Sequence, residues 1–330
     1  MRKENQYSIG LDIGGTKIAS GIVDEQGKLI YKNTSPTLAV EGPEAVMGRI
    51  YGHIDKLLNY SRKHKKNIIA IGVSIPGVVD YATGSMTYVT SNLPCWTGMP
   101  IRRLLEKKYN LPTWIENDGN SAAWGEKQFG IARYSTSLLM ITVGTGIGGG
   151  LIINNSQIIR GFSGAAGNFG HLVISFKGPE CNCGNKGCVE AYSSGFAIAS
   201  CAQRILRNGD YSDSVLASYE VESITGKTVV EAALKNDNLA RKIIEKSGKY
   251  IGIAAVSVCN MFNPELIVVG GGISNAGELL LSPMREFIRK NALLPVSKVK
   301  VVRSNLGEDA GLIGAGMLSL RNVAARDGSS

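Results

Sequence analysis

Between His171 and Glu190 the chain places one imidazole and three thiols, those of His171, Cys181, Cys183 and Cys188, within eighteen residues. Zn²⁺ takes four such donors in tetrahedral array, and a set filled wholly by protein leaves no vacancy for a reactive water, so the site this spacing predicts is structural. Gly184 and Gly187 let the backbone turn back around one ion. A disulfide and a solvated loop of free thiols are the competing readings. Cys181 and Cys183 are too near in sequence for an easy bridge, and Cys95, Cys201 and Cys259 are scattered along the chain.

Three glycine turns supply a second kind of chemistry. Gly14-Gly15-Thr16, Gly144-Thr145-Gly146 and Gly270-Gly271-Gly272 each follow a strand-like run. Glycine-threonine turns bring backbone N–H groups and hydroxyls close to phosphate oxygens, so a pair facing each other would cradle a polyphosphate. Gly144, Gly146 and Gly149 also satisfy G-x-G-x-x-G, yet the strand-like GLIINNSQII follows where a dinucleotide fold needs a helix. Gly226-Lys227-Thr228 resembles the end of a P-loop, but Val221 stands where that motif needs its first glycine, so it reads as a helix cap. Asp118 closes the inventory, at the junction where the strand-like run to Glu116 meets a helix starting within Asn120 to Gly125. It is either a helix N-cap or a general base flanked by the amide of Asn117.

The elements that must position these residues repeat. The segment from Tyr7 runs strand, glycine turn, strand, turn at Asp24 to Gly27, strand; the segment from Ser137 does the same around Gly144 to Gly146 and Asn154-Asn155. Two similar α/β units with their glycine turns lining one cleft follow from this plan. Helices are expected at Phe196 to Leu206, Thr228 to Lys246, with Thr228 and Glu231 as a capping box, and Ala310 to Leu320; a strand is expected at Val299 to Val302, and a frayed tail from Asn322. With 330 residues, 44% of them hydrophobic, the chain can bury two cores of ordinary size. It shows neither an apolar leader segment nor a run of about eighteen apolar residues, so a cytoplasmic protein without membrane association is expected. The net charge of +9 raises a nucleic-acid partner, but the basic run from Arg62 to Lys66 reads as a helix end and loop, where cations suit the dipole.

In order, DIGGTK, SIPGVVD, ENDGN, VGTGIGGG, AGNFGH, CNCGNKGCVE and VVGGGIS resemble the ROK family of sugar kinases, from about Ser8 to Leu320. The resemblance implies a two-domain actin-like ATPase (ribonuclease H-like) fold with a cleft between the domains and a structural zinc site. The smaller domain would be residues 1–121 with 308–330, the larger 122–307. It implies ATP-dependent transfer of the γ-phosphate to a hexose hydroxyl, that on C6 of glucose or a close relative, with Asp118 as base. Asp12 would orient hydrated Mg²⁺. Gly14, Gly15, Thr16, Lys17, Gly144, Thr145 and Gly146 would hold the phosphates, and Gly270, Gly271 and Gly272 the adenosine. Gly77, Asn92, Asn117, Asp118, Asn168, His171 and Glu190 would hold the sugar, with His171 serving the metal through one ring nitrogen and the sugar through the other. A homodimer or homotetramer is implied.

One position departs from the pattern. Sugar kinases of the family carry glutamate where this chain has Asn168, and an amide offers one acceptor and two donors in place of an acceptor-only carboxylate. That substitution motivates an alternative, a kinase for an amino sugar, an N-acylated hexosamine, kanosamine or a cyclitol. A non-catalytic sugar-sensing regulator is a third reading. Repressors of the family carry an amino-terminal helix-turn-helix, for which the first strand, beginning by Tyr7, leaves no room.

Overall fold

The apolar run from Tyr7 to Ile13 and its partner from Ile18 to Val23 are buried almost throughout, the pattern of strands covered on both faces. The computed structural model describes residues 5–89, 93–209 and 211–326. Its first half runs β1 (Gln6–Ile13), β2 (Lys17–Asp24), β3 (Leu29–Pro36), α1 (Pro43–Lys63), β4 (Asn67–Ile75), the hairpin β5 (Val78–Asp80) and β6 (Ser85–Tyr88), α2 (Ile101–Tyr109) and β7 (Thr113–Asn117). Then come α3 (Asp118–Phe129), β8 (Leu138–Val143), β9 (Ile147–Ile153), β10 (Gln157–Ile158), α4 (Glu190–Ser193), α5 (Gly195–Arg207), α6 (Gly226–Leu234), α7 (Asn238–Phe262), β11 (Leu266–Gly270), α8 (Glu278–Asn291), β12 (Lys300–Arg303) and α9 (Ala310–Arg326).

Two five-stranded sheets result, in the orders β3-β2-β1-β4-β7 and β10-β9-β8-β11-β12. In each, three antiparallel strands joined by tight turns are extended by two parallel ones. The sequence repeat is thus a repeat of sheet topology. On β8 the alternation of period two is explicit: Leu139, Ile141 and Val143 pack into the core formed with α5 to α8, while Leu138 and Met140 face Ala122, Ala123 and Trp124 of α3.

Helices α3 and α9 form the seam between the sheets. α3 packs on β8 and β9, α9 on β1, β2 and β4, and the two helices pack on each other. Small residues permit this. A Cβ on Gly72 of β4 would collide with the Ala315 carbonyl of α9, and one on Gly314 of α9 with the Ser121 carbonyl of α3. Both helices begin at one cleft.

Several local expectations need correction, beginning with α3, which starts at Asp118 rather than within Asn120 to Gly125. The helix expected from Thr228 to Lys246 is two helices, parted at Asn236, whose φ of 66° ends α6, and Asp237, which caps α7 by accepting from the Ala240 N–H. The cap of α6 is Thr225, one turn before the expected one, and its capping box pairs it with Thr228 rather than pairing Thr228 with Glu231. Strand β12 starts one residue later than expected, at Lys300. The tail does not fray at Asn322: α9 runs to Arg326, held by Arg321 over the Trp124 ring and Arg326 over the Trp114 ring. The basic run closes α1 as expected, with Lys66 Nζ donating to the Tyr7 hydroxyl at 3.0 Å. Among the described residues, no helix is long and apolar enough to cross a membrane.

Candidate active site

A cleft of about 270 Å³ opens where the turns of β1–β2 and β8–β9 face each other, and Gly14, Gly15, Thr16, Gly144, Thr145 and Gly146 all line it. Gly77, Asn117, Asp118, Asn168, His171 and Glu190 line the same space. A neighbouring pocket of about 210 Å³ holds Asp12 and Lys17 with Asp118, Gly271, Gly307 and Glu308. Asn92 lies outside the described residues.

The glycines divide by what surrounds them. A Cβ on Gly144 would meet nothing within 4 Å, so this position is open toward the cleft, whereas Gly272, equally unobstructed, is exposed and lines neither pocket. Gly271 has φ +82° and backs onto the Val143 carbonyl, a place only glycine takes without strain. Gly270 does not line either pocket; it packs under Met140 and Ser304. Gly149 and Gly150, which continue the VGTGIGGG motif, serve packing instead: a Cβ on Gly150 would meet the Gly119 carbonyl of α3, and one on Gly149 would meet Phe169 and the Gly167 carbonyl.

Asp118 is not the cap of α3. That role falls to Asn117, whose Oδ1 accepts from the Asn120 N–H at 3.2 Å while its Nδ2 donates to the Gly77 carbonyl at 3.0 Å. Asp118 is the first helical residue and accepts from the Gly119 N–H at 2.9 Å. Burial pushes its carboxyl above the ordinary carboxylate value and the Glu190 charge adds to this, against the opposing backbone N–H groups of Gly119 and Asp118 and the Asn117 amide. A helix N-terminus thus presents a carboxylate biased toward holding a proton.

Asp12 is the next-to-last residue of β1, beside β4, and the parallel register sets it opposite Ser74, whose hydroxyl donates to Oδ1 at 2.6 Å. Burial raises its carboxyl to about 6, the Ser74 bond and the Lys17 charge opposing and the Asp118 charge assisting. Lys17 reaches Glu308 at 2.7 Å, an exposed ion pair at the start of α9. Ser74, Glu308 and Tyr88, which also lines the cleft, were missed from sequence. Ser74 had a signal, since it lies in the same quoted SIPGVVD segment as Gly77.

His171, Cys181, Cys183 and Cys188 bring their donor atoms within 4.8 Å of one another. Cys183 Sγ lies 3.7 Å from Cys188 Sγ, and Cys181 Sγ lies 3.8 Å from His171 Nδ1. A disulfide needs about 2.05 Å, whereas a tetrahedron with metal–sulfur bonds of about 2.3 Å has edges of about 3.8 Å. The described cysteines are all free, and this cluster fits a single tetrahedral cation. Glu190 links it to the cleft: Oε2 accepts from the Ile147 N–H at 2.8 Å and Oε1 lies 3.7 Å from Cys181 Sγ.

Asn168 lines the cleft with its Nδ2 donating to the Ala165 carbonyl at 2.7 Å, which leaves Oδ1 and one N–H for other partners.

Comparison with known proteins places this architecture. The sequence pattern of the ROK family matches residues 8–322. The glucokinase of Halalkalibacterium halodurans is 36% identical over 95% of this chain and 95% of its own. The xylose repressor of Caldicellulosiruptor bescii is 31% identical over 93% of this chain and 76% of its own length. The crystal structure of a ROK family glucokinase from Streptomyces griseus, in complex with glucose and AMPPNP, superposes with a TM-score of 0.86 at 33% identity, covering 96% of this chain and 99% of that one.

Proposed function

This chain belongs to the ROK family, and from that premise we propose that it is an ATP-dependent hexose kinase that phosphorylates the 6-hydroxyl of glucose with Asp118 as general base. The observation that carries this is the placement of Asp118. Its carboxylate sits at the first turn of α3, released from capping by Asn117, in a cleft walled by two glycine-threonine turns. Backbone N–H groups and hydroxyls of these turns, together with the amino-terminal ends of α3 and α9, would receive the phosphates of ATP. Mg²⁺ carried by the nucleotide supplies charge neutralisation, with Asp12 on the side of the cleft that would face it. Asp118 would take the proton of the attacking hydroxyl, a contribution of about 10²–10⁴-fold.

Asn117, His171, Glu190 and Asn168 would hold the sugar. Asn168 favours a neutral one. One N–H of its NH₂ donates to the Ala165 carbonyl, so Oδ1 and the second N–H are left for a ligand, an uncharged acceptor and donor in place of a carboxylate. A sugar hydroxyl can still donate to it, whereas the ammonium of an amino sugar would find no charge there. Zn²⁺ is the ion whose preferences match the Cys₃His cluster, and it would hold His171 at the sugar site and supply structural cross-linking. We assign residues 1–121 with 308–330 to one domain and 122–307 to the other, and a dimer or tetramer as the assembly, which light scattering would measure.

The deciding experiment is a coupled ADP-release assay with Mg·ATP over glucose, mannose, fructose, glucosamine, N-acetylated hexosamines, kanosamine and cyclitols, on wild type and Asn168→Glu. Glucose should be the preferred acceptor, with Asn168→Glu changing its kcat/KM by less than about tenfold. A wild type that prefers an amine-bearing sugar would refute the neutral-acceptor reading, and one that prefers an N-acylated sugar would refute glucose as the substrate.

A further inference from the structure

Behind the catalytic cleft, and lining neither of its pockets, lies a buried carboxylate with every lone pair engaged. Glu116, 5% exposed, is the next-to-last residue of β7 in the first sheet. Its Oε1 accepts from the Tyr81 hydroxyl at 2.5 Å, the Asn117 N–H at 3.0 Å and Asn120 Nδ2 at 3.1 Å. Its Oε2 accepts twice from Arg160, from Nε at 2.9 Å and from a terminal nitrogen at 2.6 Å. The Arg160 guanidinium also lies 4.8 Å from the centre of the Tyr81 ring.

Arg160 belongs to the other half of the molecule. It follows β10 in the second sheet and opens the loop that leads to Asn168 and His171, and its carbonyl accepts from the Ala166 N–H at 3.0 Å to close that loop on itself. The loop then leans on the first half, where a Cβ on Gly164 would press on the Val79 carbonyl and the Tyr81 ring. Glu116 therefore grips the sugar-binding loop on one side and, through Asn117 and Asn120, the first turn of α3 on the other.

We propose that Arg160 and Glu116 form a positioning pair that fixes the Asp118 carboxylate relative to the loop carrying Asn168 and His171. The planar fork of Arg160 sets both distance and angle, which a lysine ammonium cannot do. This inference rests on Asp118 as the base. An ion pair of purely structural value would lower stability on removal of one partner without selecting among catalytic constants; a positioning pair acts on kcat through Asp118 alone.

The test uses full-length Arg160→Lys, Arg160→Met and Glu116→Gln, alone and with Asp118→Asn. Misplacing reacting groups by about 1 Å costs about 10²-fold. We expect kcat to fall by about that factor in Arg160→Met, with a raised sugar KM, an ATP KM within about twofold, and partial recovery in Arg160→Lys. In the Asp118→Asn background the same change should cost nothing further. If Arg160→Met does not fold, Arg160→Lys and Glu116→Gln carry the same comparison, since each keeps the volume of the original side chain. Unchanged kcat in a folded variant, or an equal loss in the Asp118→Asn background, overturns the positioning pair. An active Asp118→Asn overturns the base assignment and the pair with it, whereas an inactive Asp118→Asn beside a fully active Arg160→Met overturns the pair alone.

Discussion

The two sheets share a strand order and differ in what joins their antiparallel and parallel parts. In the first half, the chain leaves the eight-residue β3 and returns to β4 through little more than α1. In the second, it leaves a two-residue β10 and reaches β11 only after the loop of Asn168 and His171, the cysteine cluster and helices α4 to α7. The shared part supplies two facing turns of the same kind, suited to a chain of phosphates that both halves touch. The unshared part supplies one-sided groups, suited to a ligand without symmetry. On the proposed reading, the sugar contacts Asn168, His171 and Glu190 fall on one connection while Asn117 comes from the first half, and the phosphate contacts fall on the repeat.

The largest effect should come from the junction between the halves. Asp118→Asn should lower kcat by at least about 10²-fold while the fold and ATP binding stay nearly intact. In wild type, kcat should fall with decreasing pH through an apparent pKa above the ordinary carboxylate value, because burial raises Asp118 and its deprotonated form is the active one. A mutant keeping most of its kcat removes the base.

Next, the unshared connection can be broken by itself. Cys183→Ser should lose the metal, read by elemental analysis, and raise the sugar KM by about 10–100-fold while leaving ATP affinity unchanged. Equal losses toward both substrates would erase the division of labour. The repeat can then be probed at two glycines. Gly271→Ala should cost about 1–3 kcal/mol of stability, given its φ of +82° and its contact with the Val143 carbonyl. Gly144→Ala should leave the Tm unchanged and weaken ATP, since only a ligand would meet the added methyl.

The smallest effect belongs to the first half. His53 is buried between α1, β2 and β3, with Asn33 Nδ2 donating to Nδ1 at 3.0 Å and Ser35 at 2.8 Å from Nε2. Burial holds its pKa below the ordinary 6.5, and Lys56 adds to this. The folded state binds fewer protons than the unfolded one there, so stability is present above pH 6.5 and is lost as pH falls through the lowered folded value. Tm should drop by a few degrees across that interval and the slope should flatten in His53→Gln. Acid would then loosen the first half and chelation the second.

Much of this was legible in sequence because it is local. Each glycine-threonine turn is one contiguous motif, Gly14-Gly15-Thr16 or Gly144-Thr145-Gly146, and the four candidate metal donors lie close along the chain. The break between α6 and α7 was also written locally, in Asn236-Asp237, but the apolar periodicity of the flanking helices masked it. Two things were not legible. Gly149 and Gly150 look like more phosphate loop, and only the approach of Phe169 to the first and of Gly119 to the second shows that they make room for packing. The Glu116–Arg160 pair joins residues with no shared motif from two different sheets, so nothing in either segment announces the other.

The crossing of α3 and α9 has a mechanical consequence. Where Gly314 meets Ser121 and Gly125 meets Ala310, main chain rests on main chain with no interleaved side chains. Such a contact has no rotamers to rearrange, so it behaves as a bearing rather than a gear. Any rotation of one half against the other would be resisted elsewhere on the same seam, where side chains do meet, as Arg321 of α9 does the Trp124 ring of α3.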